Sequence, residues 1–405
     1  MTYNVFLKLF GVSNPTIIQM LFRRLKFSIP KQSDFIIFDE VHSKYLFKII
    51  NKEYTVYIIK QRPPDYFINF SLLKKFIIFL PKLSLVKIYN HPRGILVGVL
   101  SEVRLIYYRS LILLIKPKAV ITFIDNNVIF NELSQSLKKI PFIGIQNGLR
   151  LVHEKARNYH VQHLFSFGNN ESSYFKNIGY EVENFYPCGS FIASQHLRNK
   201  QEPLSNKYDI LIVSCWRGNI GYPIDQVDSM NSMREMDTLL SRYIKKNNIK
   251  AAVAYRNERD GVHWFVPEIG KNEEEYFHDI YGNSVDLIDV DFKSRNIYSL
   301  INQSELIVSG FSTSVLLEAY GYQKKIMYYN FTNKDIYHSI FDYSITSNKS
   351  DYISFSKELD LLLKTSQNKY NKEHQLNMKH YMSVIENDNY IEYVSNQINQ
   401  IIEKN

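Results

Sequence analysis

Cysteine is scarce in this sequence, since Cys188 and Cys215 are the only two among 405 residues and lie far apart. Such a pair argues against a disulfide framework and a cysteine-based zinc site, and it indicates a reducing compartment. A Cys/His cluster, a G-x-S-x-G nucleophile elbow and a Walker loop are also missing from the sequence. Any chemistry must therefore come from other residue types.

Long apolar runs without charge are missing too. The longest apolar stretch, residues 94–117, is interrupted by Glu102, Arg104 and Arg109. Because a membrane-spanning helix rarely tolerates three charges, this stretch predicts an amphipathic core helix. The opening MTYNVFLKLFGVSNP lacks the charged start, apolar centre and cleavage site of a signal peptide, so we expect no such peptide.

The composition that remains is that of a globular protein. Hydrophobic residues make up 45% of the chain and charged residues 22%, and no segment is of low complexity. These values argue against a disordered chain. A chain of 405 residues is long enough for two ordinary domains, each with its own core.

Positive charge is in excess, because 49 basic residues face 40 acidic ones and give a net charge of +9. Residues 20–32 and 71–94 mix Lys and Arg with Phe, Leu and Ile. Such stretches suit the anionic inner face of a membrane, and they equally suit solvated helices whose lysines lie along apolar surface. No nucleic-acid motif accompanies the charge, so we expect no nucleic acid partner.

Short apolar strands alternate with helical patterns along the chain. This alternation predicts an α/β fold with parallel sheets covered on both faces. Predicted helices include residues 127–138, 229–247 and 387–403. The predicted strands are 34–40, 54–60, 119–125, 141–148 and 163–168 in the first half, and 208–216, 250–256, 285–291, 304–310 and 324–330 in the second.

A polar, proline-containing segment, residues 197–209, separates the two strand–helix series and predicts a linker. We therefore expect three parts. Residues 1–196 form one Rossmann-like domain, residues 197–386 form a second, and residues 387–405 form a helix that packs back on the first domain. Ligands of open α/β sheets bind at the carboxyl ends of the strands, so the strand-end residues are the candidates for chemistry.

The strand 304–310 ends in a hydroxyl-rich turn that includes Ser309, Ser312, Thr313 and Ser314, directly before a helix. Free N–H groups at a helix start bind anions, and Ser and Thr hydroxyls add donors. Glu318, one turn later, can accept hydrogen bonds from a ribose. The alternative is a simple helix cap followed by a solvated glutamate.

Two segments carry a resemblance to known families. Residues 297–329, with their Ser/Thr turn, Glu318 and the pattern G-x-x-K-x-I, resemble the nucleotide-binding half of GT-B glycosyltransferases. Residues 121–150 resemble bacterial surface-carbohydrate biosynthesis proteins related to retaining β-Kdo transferases. The resemblance implies two Rossmann-like domains with parallel sheets facing a central cleft. It also implies a transferase that uses a nucleotide-sugar donor and no metal or other cofactor.

In the first domain, Asp125 follows a strand and is a candidate base for an acceptor hydroxyl, or a nucleophile, with a helix N-cap as the alternative. Glu154 is a second candidate carboxylate. Sugar hydroxyls and acidic groups need amide and guanidinium donors. The residues of this kind near the strand ends, predicted to bind the acceptor, are Asn126, Gln146, Asn147 and Arg150.

In the second domain, Arg217 and Arg256 stand near strand ends and are predicted to bind the donor phosphate, together with Ser312, Thr313, Ser314 and Glu318. His263 is a candidate donor of a proton to the leaving phosphate, although a lone loop histidine is more often structural. The triplet Asp289-Val290-Asp291 fits a D-x-D metal motif, which arises readily by chance, and we expect no metal there.

These inferences predict a glycosyltransferase that moves a sugar, with CMP-Kdo as one donor, to a surface polysaccharide or lipopolysaccharide. We expect it in the bacterial cytoplasm, peripheral to the inner face of the membrane, with a glycolipid or polysaccharide acceptor. Two alternatives stay open: a CDP-polyol phosphotransferase of the teichoic-acid type, and a non-catalytic sugar- or lipid-binding partner in an assembly complex.

Overall fold

The structure of the chain is a computed structural model that describes most of its residues. The described residues are 25–28, 30–61, 64–90, 94–150, 159–197, 206–215, 223–256, 258–259, 262–263, 265–266, 271–290, 296–332, 334, 343–385 and 389–404.

The first half of the chain forms a six-stranded parallel sheet in the order β3-β2-β5-β6-β7-β8. Strands β1 and β4 form a separate parallel pair. The strands of this half are β1 (Leu25–Lys26), β2 (Phe35–Phe38), β3 (Val56–Ile59), β4 (Tyr66–Phe67), β5 (Ala119–Thr122), β6 (Phe142–Ile145), β7 (His160–Ser166) and β8 (Glu181–Pro187).

Helices cover this first sheet. They are α1 (Ser43–Ile49), α2 (Phe70–Phe79), α3 (Leu85–Tyr89), α4 (Ile95–Ile115), α5 (Val128–Ser136), α6 (Asn170–Ile178) and α7 (Phe191–His196). The central strands β2, β5 and β6 are buried at every position. Their sequences FIIF, AVIT and FIGI are continuous apolar runs because helices shield both faces of the sheet.

The second half forms another six-stranded parallel sheet, in the order β15-β10-β9-β16-β17-β18. Two short antiparallel pairs, β11–β12 and β13–β14, stand apart from it. The strands are β9 (Tyr208–Val213), β10 (Ala251–Tyr255), β11 (Glu258–Arg259), β12 (Val262–His263), β13 (Phe265–Val266), β14 (Lys271–Asn272), β15 (Asp286–Asp289), β16 (Ser304–Ser309), β17 (Lys325–Tyr329) and β18 (Thr346–Ser347).

The helices of the second half are α8 (Pro223–Asn247), α9 (Glu273–Tyr281), α10 (Asn296–Asn302), α11 (Ser314–Gly321), α12 (Tyr352–Lys364), α13 (Gln367–Tyr381) and α14 (Tyr390–Glu403). Their starts carry the expected local signals. Asn272 and Glu275 form a reciprocal capping box at α9, Asp351 caps α12, and Ser366 caps α13. Each cap satisfies N–H groups that have no partner within the helix.

The strand order of each sheet reverses at one point. If the six strands of the second sheet are numbered 1 to 6 in chain order, starting at β9, their order across the sheet is 3-2-1-4-5-6. The order reverses between β9 and β16. In the first sheet the order reverses between β2 and β5. In open α/β sheets the crevice for a ligand lies at this reversal, beyond the carboxyl ends of the strands.

The long apolar stretch forms α4, as predicted from its three charges. Glu102 is buried within it, and its carboxylate accepts a hydrogen bond of 3.0 Å from the Ser84 N–H. Arg109 lies over the ring of Phe79 at 4.5 Å. Among the helices of the described residues, none combines the length and the apolarity that crossing a bilayer requires.

The chain returns to the first sheet at its carboxyl end. The ring of Tyr390, at the start of α14, packs edge-on against Phe191 with centroids 5.0 Å apart, and its hydroxyl lies 3.1 Å from the Cys188 sulfur. The Ser383 N–H donates to the Phe167 carbonyl at 2.7 Å. Ser383 and Tyr390 therefore hold this part of the chain against the first half, while the exact domain boundaries stay a prediction.

The α/β class and the parallel sheets are confirmed, and most predicted strands agree within a few residues. The short pairs β1–β4, β11–β12 and β13–β14 were not predicted, and two strands of the six-stranded sheets were missed. Strand β8 is a partly exposed edge strand with the sequence EVENFYP, and β18 has two residues. Neither shows the continuous apolar run that marks a buried strand. The predicted linker lies largely outside the described residues.

Substitution of Gly168 tests the return of the chain. A Cβ atom at Gly168 would lie 2.3 Å from the His380 carbonyl oxygen and 2.5 Å from the Tyr381 carbonyl carbon. Because backbone cannot rotate away as a side chain can, we expect Gly168→Ala to lower the free energy of unfolding by about 2–3 kcal/mol, measured by urea denaturation.

Gly179→Ala is the control for this substitution. Gly179 has a φ of +80° and open space around it, so alanine there costs only the left-handed backbone strain of about 1 kcal/mol. If the two variants were equally stable, the close contact between residue 168 and residues 380–381 would be wrong.

Candidate functional site

The two sheets meet where their strands end. The Leu149 N–H, in the segment after β6, donates to the Ser314 hydroxyl at the start of α11 at 2.9 Å. Gly148 is so close that a Cβ atom there would lie 3.1 Å from the same hydroxyl oxygen. Gly148 therefore lets the carboxyl edge of the first sheet contact the hydroxyl-rich turn of the second.

The hydroxyl-rich turn, residues 309–314, lies at the strand reversal of the second sheet. The Ser309 hydroxyl donates to the Val213 carbonyl at the end of β9 and to the Phe311 carbonyl, at 2.9 Å each. The Cys215 thiol donates to the Ser312 carbonyl at 3.3 Å. These contacts fix the turn between β9 and β16, where the fold places a ligand crevice.

Ser312 differs from its neighbours in the turn. Its side chain is 1% exposed, and its hydroxyl has no hydrogen-bond partner among the described residues. Thr313 is the N-cap of α11, yet its side chain makes no capping hydrogen bond. The alternative of a simple side-chain cap therefore does not describe this helix start. The buried Ser312 hydroxyl is a separate feature, and leaving it without a partner lowers the stability of the turn.

Glu318 joins the two halves of the chain. It is 4% exposed, and its carboxylate accepts hydrogen bonds from the Ser190 hydroxyl at 2.5 Å and from the Tyr298 hydroxyl at 2.9 Å. The ring of Tyr298 stacks on His196 with centroids 5.2 Å apart. Glu318 is thus a buried acceptor rather than a solvated residue, and its contact with a ribose stays a prediction.

Asp125 follows β5, beside the strand reversal of the first sheet, and is fully buried. Its carboxylate forms an ion pair with Arg150, which donates from both Nε, at 3.1 Å, and Nη2. The Tyr159 hydroxyl at 2.7 Å and the Asn147 N–H at 3.4 Å also donate to it. Four donors around one carboxylate suit a group that orients Arg150. Its role as a base stays a prediction.

The other predicted acceptor residues lie close to this ion pair. Asn147 accepts from Arg150 Nη2 at 2.9 Å, and Asn126 is partly exposed in the turn after β5. The N-cap of α5 is Asn127, which accepts from the N–H groups of Ile129 and Phe130. Since Asn127 caps the helix, the capping alternative for Asp125 is wrong.

Glu171, in the first turn of α6, belongs to the same region and was not among the predicted residues. Its Oε1 accepts from Gln146 Nε2 at 3.1 Å, whereas its buried Oε2 has no hydrogen-bond partner among the described residues. Burial raises the pKa of its carboxyl to about 7. The sequence offered no signal, because an acidic residue in the first turn of a helix is ordinary.

A second polar cluster lies at the ends of β9 and β10. The Glu273 carboxylate is 3% exposed and accepts from the Ser214 hydroxyl at 2.6 Å and from the Arg256 N–H at 3.4 Å. Burial raises the pKa of Glu273 to about 7, against the lowering effect of these bonds and of the Arg256 charge. Arg256 therefore directly follows the end of β10, at a strand terminus as predicted, and its phosphate role stays a prediction.

Several predicted residues cannot be placed. Glu154 and Arg217 lie outside the described residues, and for His263 only the backbone, in β12, is described. Asp289 ends β15, while Asp291 is again outside the described residues. Within the described part of the chain, no group of three or more His, Cys, Asp or Glu residues could hold a metal ion.

Comparisons with known proteins give the fold and nothing narrower. No protein-family model matches the sequence, and no curated protein matches it. Solved structures do match over nearly the whole chain. A candidate UDP-N-acetylglucosamine 2-epimerase from Listeria monocytogenes covers 92% of this chain and 96% of its own, at 12% identity and a TM-score of 0.53.

Two further structures extend this comparison. UDP-N-acetylglucosamine 2-epimerase from Rickettsia bellii covers 91% of this chain and 95% of its own, with 14% identity and a TM-score of 0.51. A glycosyltransferase from Rickettsia africae covers 91% and 98%, with 12% identity and a TM-score of 0.49. The two parallel six-stranded sheets and the matches to the two epimerase structures show that the chain has the GT-B fold.

The buried carboxyl of Glu171 makes stability depend on pH. Its pKa is about 7 in the folded protein against an ordinary value of 4.5. Between these two values the folded state holds the extra proton, so its contribution to stability falls as pH rises. We expect Glu171→Gln, which cannot ionise, to gain about 2–3 kcal/mol over the wild type between pH 5 and pH 8.

Urea denaturation at both pH values measures this difference. Glu373→Gln is the matched control, because the Glu373 side chain is 54% exposed and pairs with Lys369 on the same helix. We expect its stability difference from the wild type to be the same at both pH values. A constant difference for Glu171→Gln as well would mean that Glu171 is already ionised in the fold.

Proposed function

We propose that this chain is a glycosyltransferase that moves a sugar from a nucleotide-sugar donor to a surface polysaccharide or lipopolysaccharide. CMP-Kdo is the first donor to test, because of the resemblance carried by residues 121–150. The GT-B fold is common to proteins that handle nucleotide sugars, among them the epimerase named above, so the fold alone does not select the reaction.

The observation that carries the proposal is the buried Ser312 hydroxyl without a partner. It stands at the reversal of a sheet with the strand order 3-2-1-4-5-6, where α/β folds bind nucleotides. The start of α11 adds N–H groups and a positive helix end, which favour a phosphate. A phosphate oxygen accepting from Ser312 would satisfy the hydroxyl that the protein itself leaves without a bond.

The first sheet supplies the acceptor side. Arg150 is 3% exposed, and the Asp125 carboxylate holds its guanidinium in one orientation. In the proposal Asp125 is the positioning residue, and Arg150 and Asn147 contact an acidic or hydroxyl-rich acceptor. The Leu149 N–H, next to Arg150 in the chain, donates to the Ser314 hydroxyl. This hydrogen bond holds the segment with Arg150 and Asn147 against the turn proposed to bind the phosphate.

Transfer of the sugar breaks the bond between its anomeric carbon and the donor phosphate and forms a bond to an acceptor oxygen. The leaving phosphate takes the electron pair, and the acceptor hydroxyl loses its proton to a base. A general base works best when its pKa is near the operating pH. Glu171, whose pKa is about 7, fits this requirement beside Gln146, and Glu154 is the other candidate.

Nucleotide binding tests the proposal. We expect CMP, CDP, UDP or GDP to raise the melting temperature of the wild type, because a ligand that binds only the folded state stabilises it. We expect Ser312→Ala to leave the unliganded melting temperature unchanged or to raise it by a few degrees, because no hydrogen bond is lost and an unsatisfied buried hydroxyl is removed. We expect the same substitution to raise the Kd for the nucleotide at least tenfold.

Ser309→Ala is the contrasting variant, because the Ser309 hydroxyl makes two hydrogen bonds of 2.9 Å in the same turn. We expect it to destabilise the unliganded protein by about 1–2 kcal/mol. With a bound nucleotide identified, incubation of the sugar nucleotide with and without an acceptor separates transfer from epimerisation. Absence of binding by all four nucleotides would count against a nucleotide-dependent enzyme.

A further inference from the structure

One surface of the first half exposes far more apolar side chain than the rest of the molecule. Among the described residues, 17 large hydrophobic side chains are exposed, and 11 of them fall between Ile68 and Leu96. We name this the α2–α3 surface. Its exposed side chains are Ile68, Phe70, Leu73, Ile77, Ile78, Leu80, Leu85, Val86, Tyr89, Ile95 and Leu96.

The apolar residues of α2 form a regular stripe. Phe70, Leu73, Ile77 and Ile78 occupy positions i, i+3, i+7 and i+8 of the helix, and their exposed fractions are 82%, 50%, 57% and 58%. This spacing places them on one helical face. In a surface helix such a stripe normally faces the core, yet here it faces outward.

The opposite side of the two helices is already packed. Leu72 of α2 and Ile88 of α3 are buried, while Leu85, Val86 and Tyr89 of α3 are each more than 70% exposed. Ser84, the N-cap of α3, is held to α4 through Glu102, and the Phe67 N–H before α2 donates to Tyr107 of α4 at 2.8 Å. The outward side chains are therefore fixed on a folded base.

The charge of this region has one sign. Residues 66–101 contain four lysines and one arginine and no Asp or Glu. Lys74 lies within the outward stripe of α2 and is exposed. Lys87 is 42% exposed and reaches Glu132 at 3.0 Å. Apolar side chains with lysines among them match a bilayer that carries anionic headgroups, since the apolar groups enter the headgroup boundary and the lysines meet the phosphates.

We propose that the α2–α3 surface docks the protein on an anionic lipid bilayer. The contact is peripheral, because the exposed side chains occupy one face of the ten-residue helix α2, which would lie along the bilayer surface and is too short to cross it. The α2–α3 surface and the residues Arg150 and Asn147 belong to the same half of the chain. Docking would therefore bring that half, rather than the second half, to the bilayer. The inference goes beyond the proposed transfer reaction and does not depend on which nucleotide is bound.

Vesicle flotation with the full chain tests the docking surface. We expect the wild type to bind vesicles of phosphatidylglycerol and phosphatidylcholine, and to bind pure phosphatidylcholine vesicles at least tenfold more weakly. We expect the triple variant Phe70→Ser, Ile77→Ser, Leu85→Ser to lose at least tenfold in affinity for the anionic vesicles. Lys74→Glu alone should weaken binding, and added salt should weaken it further.

A matched triple variant controls for the loss of exposed apolar surface. Ile353, Leu361 and Leu376 are 66%, 66% and 83% exposed and lie in the second half of the chain. We expect their joint replacement by serine to leave vesicle binding unchanged. Circular dichroism melts of both triple variants check that each is folded, and nucleotide thermal shifts on both show whether the donor site survives independently.

Several outcomes would overturn the inference. They are no binding of the wild type to anionic vesicles, equal binding to neutral and anionic vesicles, or equal losses in the two triple variants. Sedimentation could give another such outcome. If the wild type were a dimer and only the α2–α3 triple variant were a monomer, this surface would bind a second copy of the chain.

Discussion

Parallel pairing of the strands determines where the polar residues of this protein lie. In a parallel sheet all strands end at the same edge, so the turns that follow them collect there. The chain has two such sheets, and a hydrogen bond from Leu149 to Ser314 joins their carboxyl edges. Nearly every polar residue of interest, from Asp125 to Glu318, lies in a turn or a helix start at these edges because the strands themselves are filled with apolar residues.

Burial then gives the polar residues their properties. Asp125 can be fully buried because Arg150, Tyr159 and Asn147 surround it with donors. Glu171 and Glu273 have fewer donors than a buried carboxylate needs, and desolvation raises the pKa of each to about 7. The same low polarity makes the partnerless Ser312 hydroxyl informative, because such a group is retained at a cost to stability.

The first half has two surfaces with different proposed roles, acceptor binding and membrane docking. Its carboxyl edge faces the second sheet and carries Arg150 and Asn147. Its α2–α3 surface carries exposed apolar side chains and lysines on a packed base. A lipid-linked acceptor would suit a protein with this arrangement, since the surface proposed to contact the membrane and the residues proposed to bind the acceptor belong to one half of the chain.

The amino-acid sequence alone was enough to predict the α/β class, most of the strands and the hydroxyl-rich turn, because buried parallel strands are continuous apolar runs and their ends are polar. It also showed the basic and apolar character of residues 71–94. Tertiary structure decided the rest. Only the fold shows that Asp125 and Arg150, 25 positions apart, form an ion pair.

Only the fold, likewise, shows that Asn127 rather than Asp125 caps α5, that Glu318 contacts Ser190 across the two halves, and that the stripe of α2 faces outward. Periodicity reveals which residues share a helical face. It does not reveal whether that face meets a core or solvent, because this depends on contacts between segments distant in the chain. The exposure of Phe70 and the burial of Glu171 are both consequences of such contacts.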